Sequence, residues 1–367
     1  MERWSEAEAQ SWARSKGWIC GCNFLPSTAV NFIEMWHGDT FDAQTISREL
    51  GWAAEVGFNA IRINLPLQGW QQDRDGLLDR FNQVMDIASR NGMATVPCLF
   101  DDCGFGGAEP VWGDQPDPLP DVHNGRAVAS PGRNAVLDPS QRPQLEAYVR
   151  DVIGAFRTDD RVLFWDLYNE PGNRMIFEPS GFRLYSDALE RAALDLMEDC
   201  FAWARSVAPF HPLTVAAWNT PSPQEVALPY QTDIDRSALA HSDIVTFHAY
   251  LNCARVAGFL DYLEDLRRPI ICTEWMARTV DSRIPDQLAM FHARGVGGFQ
   301  WGLVKGRTQT WLPWPEALLT AHGGVNDRNT WFHDLLEQDG TPYNPEEIRT
   351  IRDLTGTDGR TPAKQAH

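Results

Sequence analysis

Eight short apolar runs, alternating with longer stretches of helical periodicity, predict an α/β fold: a single (β/α)8 barrel. The number of units favours closure, because eight strand–helix pairs fit a closed barrel better than an open doubly wound sheet. No Gly-x-Gly-x-x-Gly turn follows the first run, which counts against a dinucleotide-binding sheet.

The strand candidates are residues 18–22, 60–64, 94–100, 162–168, 213–217, 244–248, 270–273 and 298–301. Between the first two, residues 42–56 place Ile46, Leu50, Ala53 and Ala54 at helical spacing, and Gly57 follows as the expected C-cap. Residues 77–89 and 144–156 repeat this pattern, and 180–207 is the longest helical stretch expected. Two connections are long and irregular: 101–139, rich in Gly, Pro and Asp, after the third strand, and 302–341, holding Trp311, Trp314 and Trp331, after the eighth. Loops after barrel strands build the active face, and long ordered loops are more often functional than incidental. Residues 355–367 read as a polar, frayed tail, which leaves 1–354 as one catalytic domain.

A chain of 367 residues has room for one such barrel with extended loops. Its net charge of −18 is spread along the sequence, a surface that repels nucleic acid and anionic membranes and suits a neutral ligand. No apolar run is long enough to cross a bilayer, and the start, Met1-Glu2-Arg3-Trp4, lacks the basic-then-apolar pattern of a secretory signal. Seven cysteines make an odd count, several inside strand candidates, so they read as reduced structural thiols of a cytoplasmic protein. No paired Cys-x-x-Cys units and no His-Glu-x-x-His occur, so neither a metal nor a cofactor is expected. The Gly-Phe-Gly-Gly stretch at 104–107 lacks the Lys-Ser/Thr of a phosphate loop.

The chemistry gathers at the carboxyl ends of the runs. Arg62 and Asn64 end the second, Asp101 and Asp102 the third, and Asn169-Glu170-Pro171 the fourth. His248 and Tyr250 follow the sixth, Glu274-Trp275 the seventh, and Trp301 the eighth. Two glutamates on separate strand tips match what acid-assisted cleavage of a glycosidic bond needs: one protonates the leaving oxygen, the other attacks or stabilises the sugar carbon. Fifteen tryptophans add aromatic faces of the kind that bind sugars. Trp12, Trp52, Trp165 and Trp203 fall in expected elements and read as packing; Trp36, Trp70, Trp112, Trp301, Trp311 and Trp314 fall at strand ends or in loops, and about half of these are expected in a cleft.

With these motifs in order, residues 17 to 303 resemble the clan of (β/α)8 retaining glycosidases that includes the glycoside hydrolase family 5 cellulases, mannanases and xylanases. The carriers are Ile61-Arg62, Asn169-Glu170-Pro171, His248-Ala249-Tyr250, Thr273-Glu274-Trp275 and Trp301. The resemblance implies that Glu170 is the general acid/base and Glu274 the nucleophile. It also implies that Asn169 bonds the sugar 2-hydroxyl, that His248 and Tyr250 orient the glutamates, and that Trp301 stacks beneath the ring. Arg62 is the expected ion-pair partner of Glu274. Trp36, Asp101 and Asp102 complete the expected substrate contacts. The pattern departs from the family at the third strand, where a histidine is usual and Phe100-Asp101-Asp102-Cys103 stands instead. That departure suggests a divergent, cellulase-like or xylanase-like group. The expected activity is retaining hydrolysis of β-linked oligosaccharides or small β-glycosides, exo-acting because imported substrates suit a cytoplasmic enzyme. An endo-acting β-glycanase, a transglycosylase and a non-catalytic carbohydrate-binding protein are the alternatives; the sugar and the oligomeric state are left open.

Overall fold

The computed structural model describes residues 2–223, 225 and 227–357. Eight parallel strands form one sheet, at Cys20–Asn23, Ala60–Asn64, Ala94–Asp101, Trp165–Asn169, Leu213–Thr214, Val245–His248, Ile270–Trp275 and Gly297–Trp301. In space they run fifth, fourth, third, second, first, eighth, seventh, sixth. The ring closes between fifth and sixth through a single bridge: Ala217 N–H donates to the Thr246 carbonyl at 3.0 Å, and His248 N–H to the Ala217 carbonyl at 2.9 Å. The expected barrel is the observed one, and every expected strand is present with small shifts at its ends.

The amino-terminal half of the bore is apolar. Phe164, Phe299, Ile271 and Val96 are closed to water, and the helix Glu6–Lys16 caps this end with Ala9 and Trp12. Burying each large side chain contributes roughly 1.5–3 kcal/mol. Ser5 and Glu8 form a reciprocal capping box that starts the helix. On the flank, Asp42 caps the helix Ala43–Val56, and Gly57 ends it with φ 112°, where a side chain would meet the Thr355 hydroxyl.

Three expectations need correction. Residues 180–207 are not one helix. A β-hairpin, Met175–Glu178 with Gly181–Leu184, comes first, and the helix covers only Ala188–Val207. Pro179 and Ser180 make the turn before Gly181 (φ 149°), and the Phe177 ring stacks on Phe105 at 4.4 Å, so distant packing overrides local helical spacing. The longest helix is instead Leu67–Arg90, 24 residues with a break at Asp73, ten residues longer at its start than the 77–89 expected. The expected tail begins inside the helix Pro345–Thr355, and residues 358–367 lie outside the described part. No helix among the described residues is long and apolar enough to cross a membrane.

Candidate active site

The fourth strand ends by bending sharply. Glu170 takes φ 43°, a left-handed conformation that costs energy for any residue with a Cβ and tends to mark functional turns. Asp102 holds the bend: its carboxylate accepts from the Tyr168 hydroxyl at 2.8 Å and from Gly172 N–H at 2.7 Å. Asp102 is fully buried, so it supports the glutamate rather than meeting a ligand, contrary to its expected sugar contact.

The seventh strand carries a bulge at Glu274. Between Cys272 and Glu274 it takes two steps while the sixth takes one, Phe247 to His248; between Cys272 and Trp275 it takes three while the eighth takes two. An extra residue re-aims the side chain that follows it. The bulge leaves carbonyls that Asn23 satisfies, its amide donating to Thr273 at 2.8 Å and Gln300 at 3.2 Å.

Arg62 ties these ends together from within the bore. Its guanidinium donates to Asp166 at 2.9 Å, Glu274 at 3.0 Å, Asn23 at 2.7 Å and Asn169 at 2.6 Å. The expected Arg62–Glu274 pair is present, with Asp166 as a second carboxylate that the sequence reading passed over. Arg62 and Asn169 are 1 % exposed and border none of the cavity. The Asn169 oxygen is held by Arg62, and its amino group donates to Asp101 at 2.9 Å. Asp101 also accepts from Asn64 and from Cys103 N–H. These groups therefore position the site from below. In this structure the polar atoms of Arg62, Asn169 and Asp101 are engaged by one another and by their neighbours, and Asp101 borders a second, smaller cavity beside Trp301. Trp36 is corrected too: it is fully buried, its indole N–H on the Asn64 carbonyl at 2.7 Å and its ring between Phe41 and Phe81.

Above this layer the glutamates face each other. Ligand atoms of Glu170, His248 and Glu274 lie within 4.8 Å of one another. His248 Nδ1 is 2.8 Å from Glu170 Oε1 and 3.7 Å from Glu274 Oε2. Tyr250 donates its hydroxyl to Glu274 at 2.9 Å. Glu170 Oε2 accepts from Asn173 at 2.6 Å and from the Cys103 thiol at 3.1 Å. Burial lifts both carboxyls above the ordinary range, and their mutual repulsion adds to the rise at Glu274. A close carboxyl pair of this kind holds one proton between them near neutral pH. Arg62 and Tyr250 draw the negative charge to Glu274. Burial depresses His248 to about 4 against the pull of Glu274, so its ring is neutral. The three-residue spacing would fit a divalent cation, yet the Arg62 guanidinium already supplies positive charge 3.0 Å from Glu274.

The glutamates open into a cavity of about 330 Å³, small among ligand pockets, which Tyr250, His248, Trp301 and Trp314 also line. Loops after the third and eighth strands join across one end, with Asn124 N–H on the Thr308 carbonyl and Gln309 on the Leu119 carbonyl. The hairpin supplies Met175, Phe177 and Leu184 to the wall. Of the six loop or strand-end tryptophans, Trp301 and Trp314 reach this cavity. The sequence reading missed Asp166, Asn173, Cys103 and the histidines of the loops. Asp166 and Asn173 had a signal, an acid inside an apolar strand and an amide three residues after Glu170. Cys103 had only its place beside Asp102.

The model of the cellulase family, glycosyl hydrolase family 5, matches residues 21–303. No curated protein sequence matches the chain. Among solved structures, GH5_18 from Streptomyces cattleya, a variant in complex with Manβ1-4GlcNAc, is 17 % identical with a TM-score of 0.57, over 94 % of this chain and 82 % of that one. An exo-β-1,4-mannosidase from Opitutaceae bacterium strain TAV5 is 16 % identical with a TM-score of 0.56, over 93 % and 60 %. An endo-β-1,4-mannanase from Thermotoga petrophila is 13 % identical with a TM-score of 0.56, over 95 % and 78 %. At these identities the likeness shows the fold alone.

Proposed function

The chain belongs to glycosyl hydrolase family 5, and from that premise we propose that it is a retaining, exo-acting β-glycosidase for small β-linked sugars, β-mannosides first. The observation that carries the reading is the approach of a Glu170 oxygen and a Glu274 oxygen to within 4.8 Å. Retaining enzymes hold their carboxyls about 5–5.5 Å apart, whereas inverting ones leave about 6.5–9.5 Å for a water.

In this reading Glu170 enters protonated and gives its proton to the glycosidic oxygen as the Glu274 carboxylate attacks the anomeric carbon. The C–O bond to the leaving group breaks and a glycosyl–Glu274 ester forms. Glu170, now a carboxylate, takes a proton from water, whose oxygen attacks the same carbon and releases Glu274. Arg62 and Tyr250 hold Glu274 charged and aimed, and neutral His248 adds no charge beside Glu170 in either protonation state. Trp301 offers an aromatic face to the ring. Two carboxyls suffice for this chemistry, so the reading invokes no cofactor. It takes residues 1–354 as one catalytic unit. The closed loop end and the small volume support exo action on a terminal ring. The β-mannoside preference takes its support from the printed names of the structural relatives.

The test is a panel of nitrophenyl β-glycosides and β-linked oligosaccharides on wild type, Glu170→Ala and Glu274→Ala. Cleavage with retained configuration is expected, abolished in Glu274→Ala and recovered there by azide as the glycosyl azide of inverted configuration. An inverted product from wild type, or random internal cuts in a soluble polymer, would overturn it. A folded wild type silent on every sugar would favour a binding protein.

A further inference from the structure

Three imidazoles line the cavity apart from His248: His123 on the loop after the third strand, and His322 and His333 beyond the eighth. Each ring sets its Nδ1 against a backbone carbonyl, His123 on Leu312 at 2.7 Å, His322 on Leu318 at 2.9 Å and His333 on Met276 at 2.5 Å. A carbonyl oxygen only accepts, so Nδ1 carries the hydrogen in all three. The other nitrogen of a neutral imidazole is then an acceptor and nothing else. Among the described residues no group donates to Nε2 of any of the three. Burial lowers all three pKa values, His123 to about 4, which keeps the rings neutral.

The three belong to one wall. His123 and His333 meet edge to face at 5.2 Å between ring centres, and Trp314 lies 5.2 Å from His322 and 6.4 Å from His333. His333 is 5.5 Å from Tyr250, whose hydroxyl is on Glu274, so the wall begins where the nucleophile ends.

We propose that His123, His322 and His333 form a sugar-recognition wall whose Nε2 atoms accept hydrogen bonds from ring hydroxyls, selecting a neutral hydroxyl-rich ring over one bearing a carboxylate. The proposal rests on the glycosidase reading and names the substrate class of that site. A hydroxyl has a hydrogen to give to each nitrogen. A carboxylate has only lone pairs, and would face acceptors on one side and the glutamates on the other. Sites built to pair a hydroxyl discriminate strongly against an analogue that cannot make the bond, because a buried polar group is left unpaired.

The experiment measures binding without turnover, by calorimetric titration of Glu274→Ala. This protein lacks the nucleophile's charge, so rejection of an anion reads the wall more directly. The probes are methyl β-mannoside, methyl β-glucoside and methyl β-glucuronide, with deoxy and deoxyfluoro forms of whichever neutral glycoside binds. The neutral glycosides are expected to bind at least tenfold tighter than the glucuronide, with about tenfold lost on removing one contacted hydroxyl. Adding His333→Phe should remove that tenfold for the parent sugar and leave the matching deoxy sugar unchanged. If His333→Phe disturbs the fold, the sugar series on Glu274→Ala alone still decides. Equal binding of neutral and anionic sugars, or deoxy forms as tight as the parent, overturns the wall. Selective binding by a protein whose wild type cleaves nothing supports the wall and sinks the glycosidase reading. Retaining cleavage without selectivity sinks the wall alone.

Discussion

Replacing Arg62 with methionine should destabilise the protein far more at pH 8 than at pH 5. The guanidinium is fully buried and donates to four side chains, two of them the carboxylates of Asp166 and Glu274. Removing one partner of a buried ion pair costs about 3–5 kcal/mol, because the other charge stays desolvated. The fold can reduce that cost by protonating a carboxylate, which raises its folded-state pKa above the unfolded value near 4. Stability from such a group is whole below the unfolded pKa and is lost as pH rises through the folded one. Each extra proton so held adds about 1.4 kcal/mol of loss per pH unit, so moving from pH 5 to pH 8 adds up to about 4 kcal/mol for a carboxyl ionised in wild type, and less for Glu274, which burial already raises to about 7. Guanidinium unfolding of wild type and Arg62→Met at both pH values gives the two differences directly. Adding Asp166→Leu should recover much of the stability and none of the activity, since Glu274 still lacks its cation. A loss below about 1 kcal/mol, or one equal at both pH values, would refute the idea that this cation offsets two buried charges.

Three other outcomes are expected. Burial pushes Glu49, Asp102 and Asp334 up to about 7, so the stability they contribute is complete below pH 4 and lost as pH rises through 7. The unfolding midpoint should therefore fall from pH 5 to pH 8, and Glu49→Gln should flatten part of that slope; a rising midpoint contradicts the assignment. Tyr250→Phe removes a hydroxyl donor to a charged carboxylate, so kcat should drop about 10–100-fold with the acid limb of kcat/KM moved to higher pH; an unmoved limb would separate Tyr250 from the ionisation of Glu274. Cys103→Ala removes a donor to Glu170, which favours its protonated form, so the alkaline limb should shift upward while Cys103→Ser leaves it near wild type. Identical profiles in both variants would make the thiol a packing group only.

The barrel was legible because its evidence is local: short buried runs, helical spacing between them, and Gly57 at a left-handed cap. Both glutamates and the Arg62–Glu274 pair were legible for a related reason, since parallel strands bring their carboxyl ends to one rim whatever the loops do. The hairpin at 175–184 was not, because its Phe177 finds its partner, Phe105, some seventy residues back across the cavity. Trp36 misled because a tryptophan after a strand can turn either way; the Asn64 carbonyl and Phe81 decide that it turns inward. Nor does any spacing bring His123 to His333, which meet only once two irregular loops have closed over the rim.

The two glutamates share burial, yet their partners differ in kind. Glu274 meets a full positive charge on Arg62 and a phenol; Glu170 meets a thiol, an amide and a neutral imidazole. Desolvation alone would raise both and assign no roles. A cation stabilises only the ionised form, whereas neutral donors and acceptors accommodate a carboxyl that changes state twice per turnover. On this argument the departure at the third strand has a physical sense. A histidine able to charge beside Glu170 would pull it toward the carboxylate, while Cys103, its thiol held far from ionisation by burial and by the acids around it, keeps that side neutral across the working range. In the proposed mechanism the division of labour between the carboxyls then comes from direct bonding: the charge of Arg62 is felt by both, but its guanidinium bonds only Glu274.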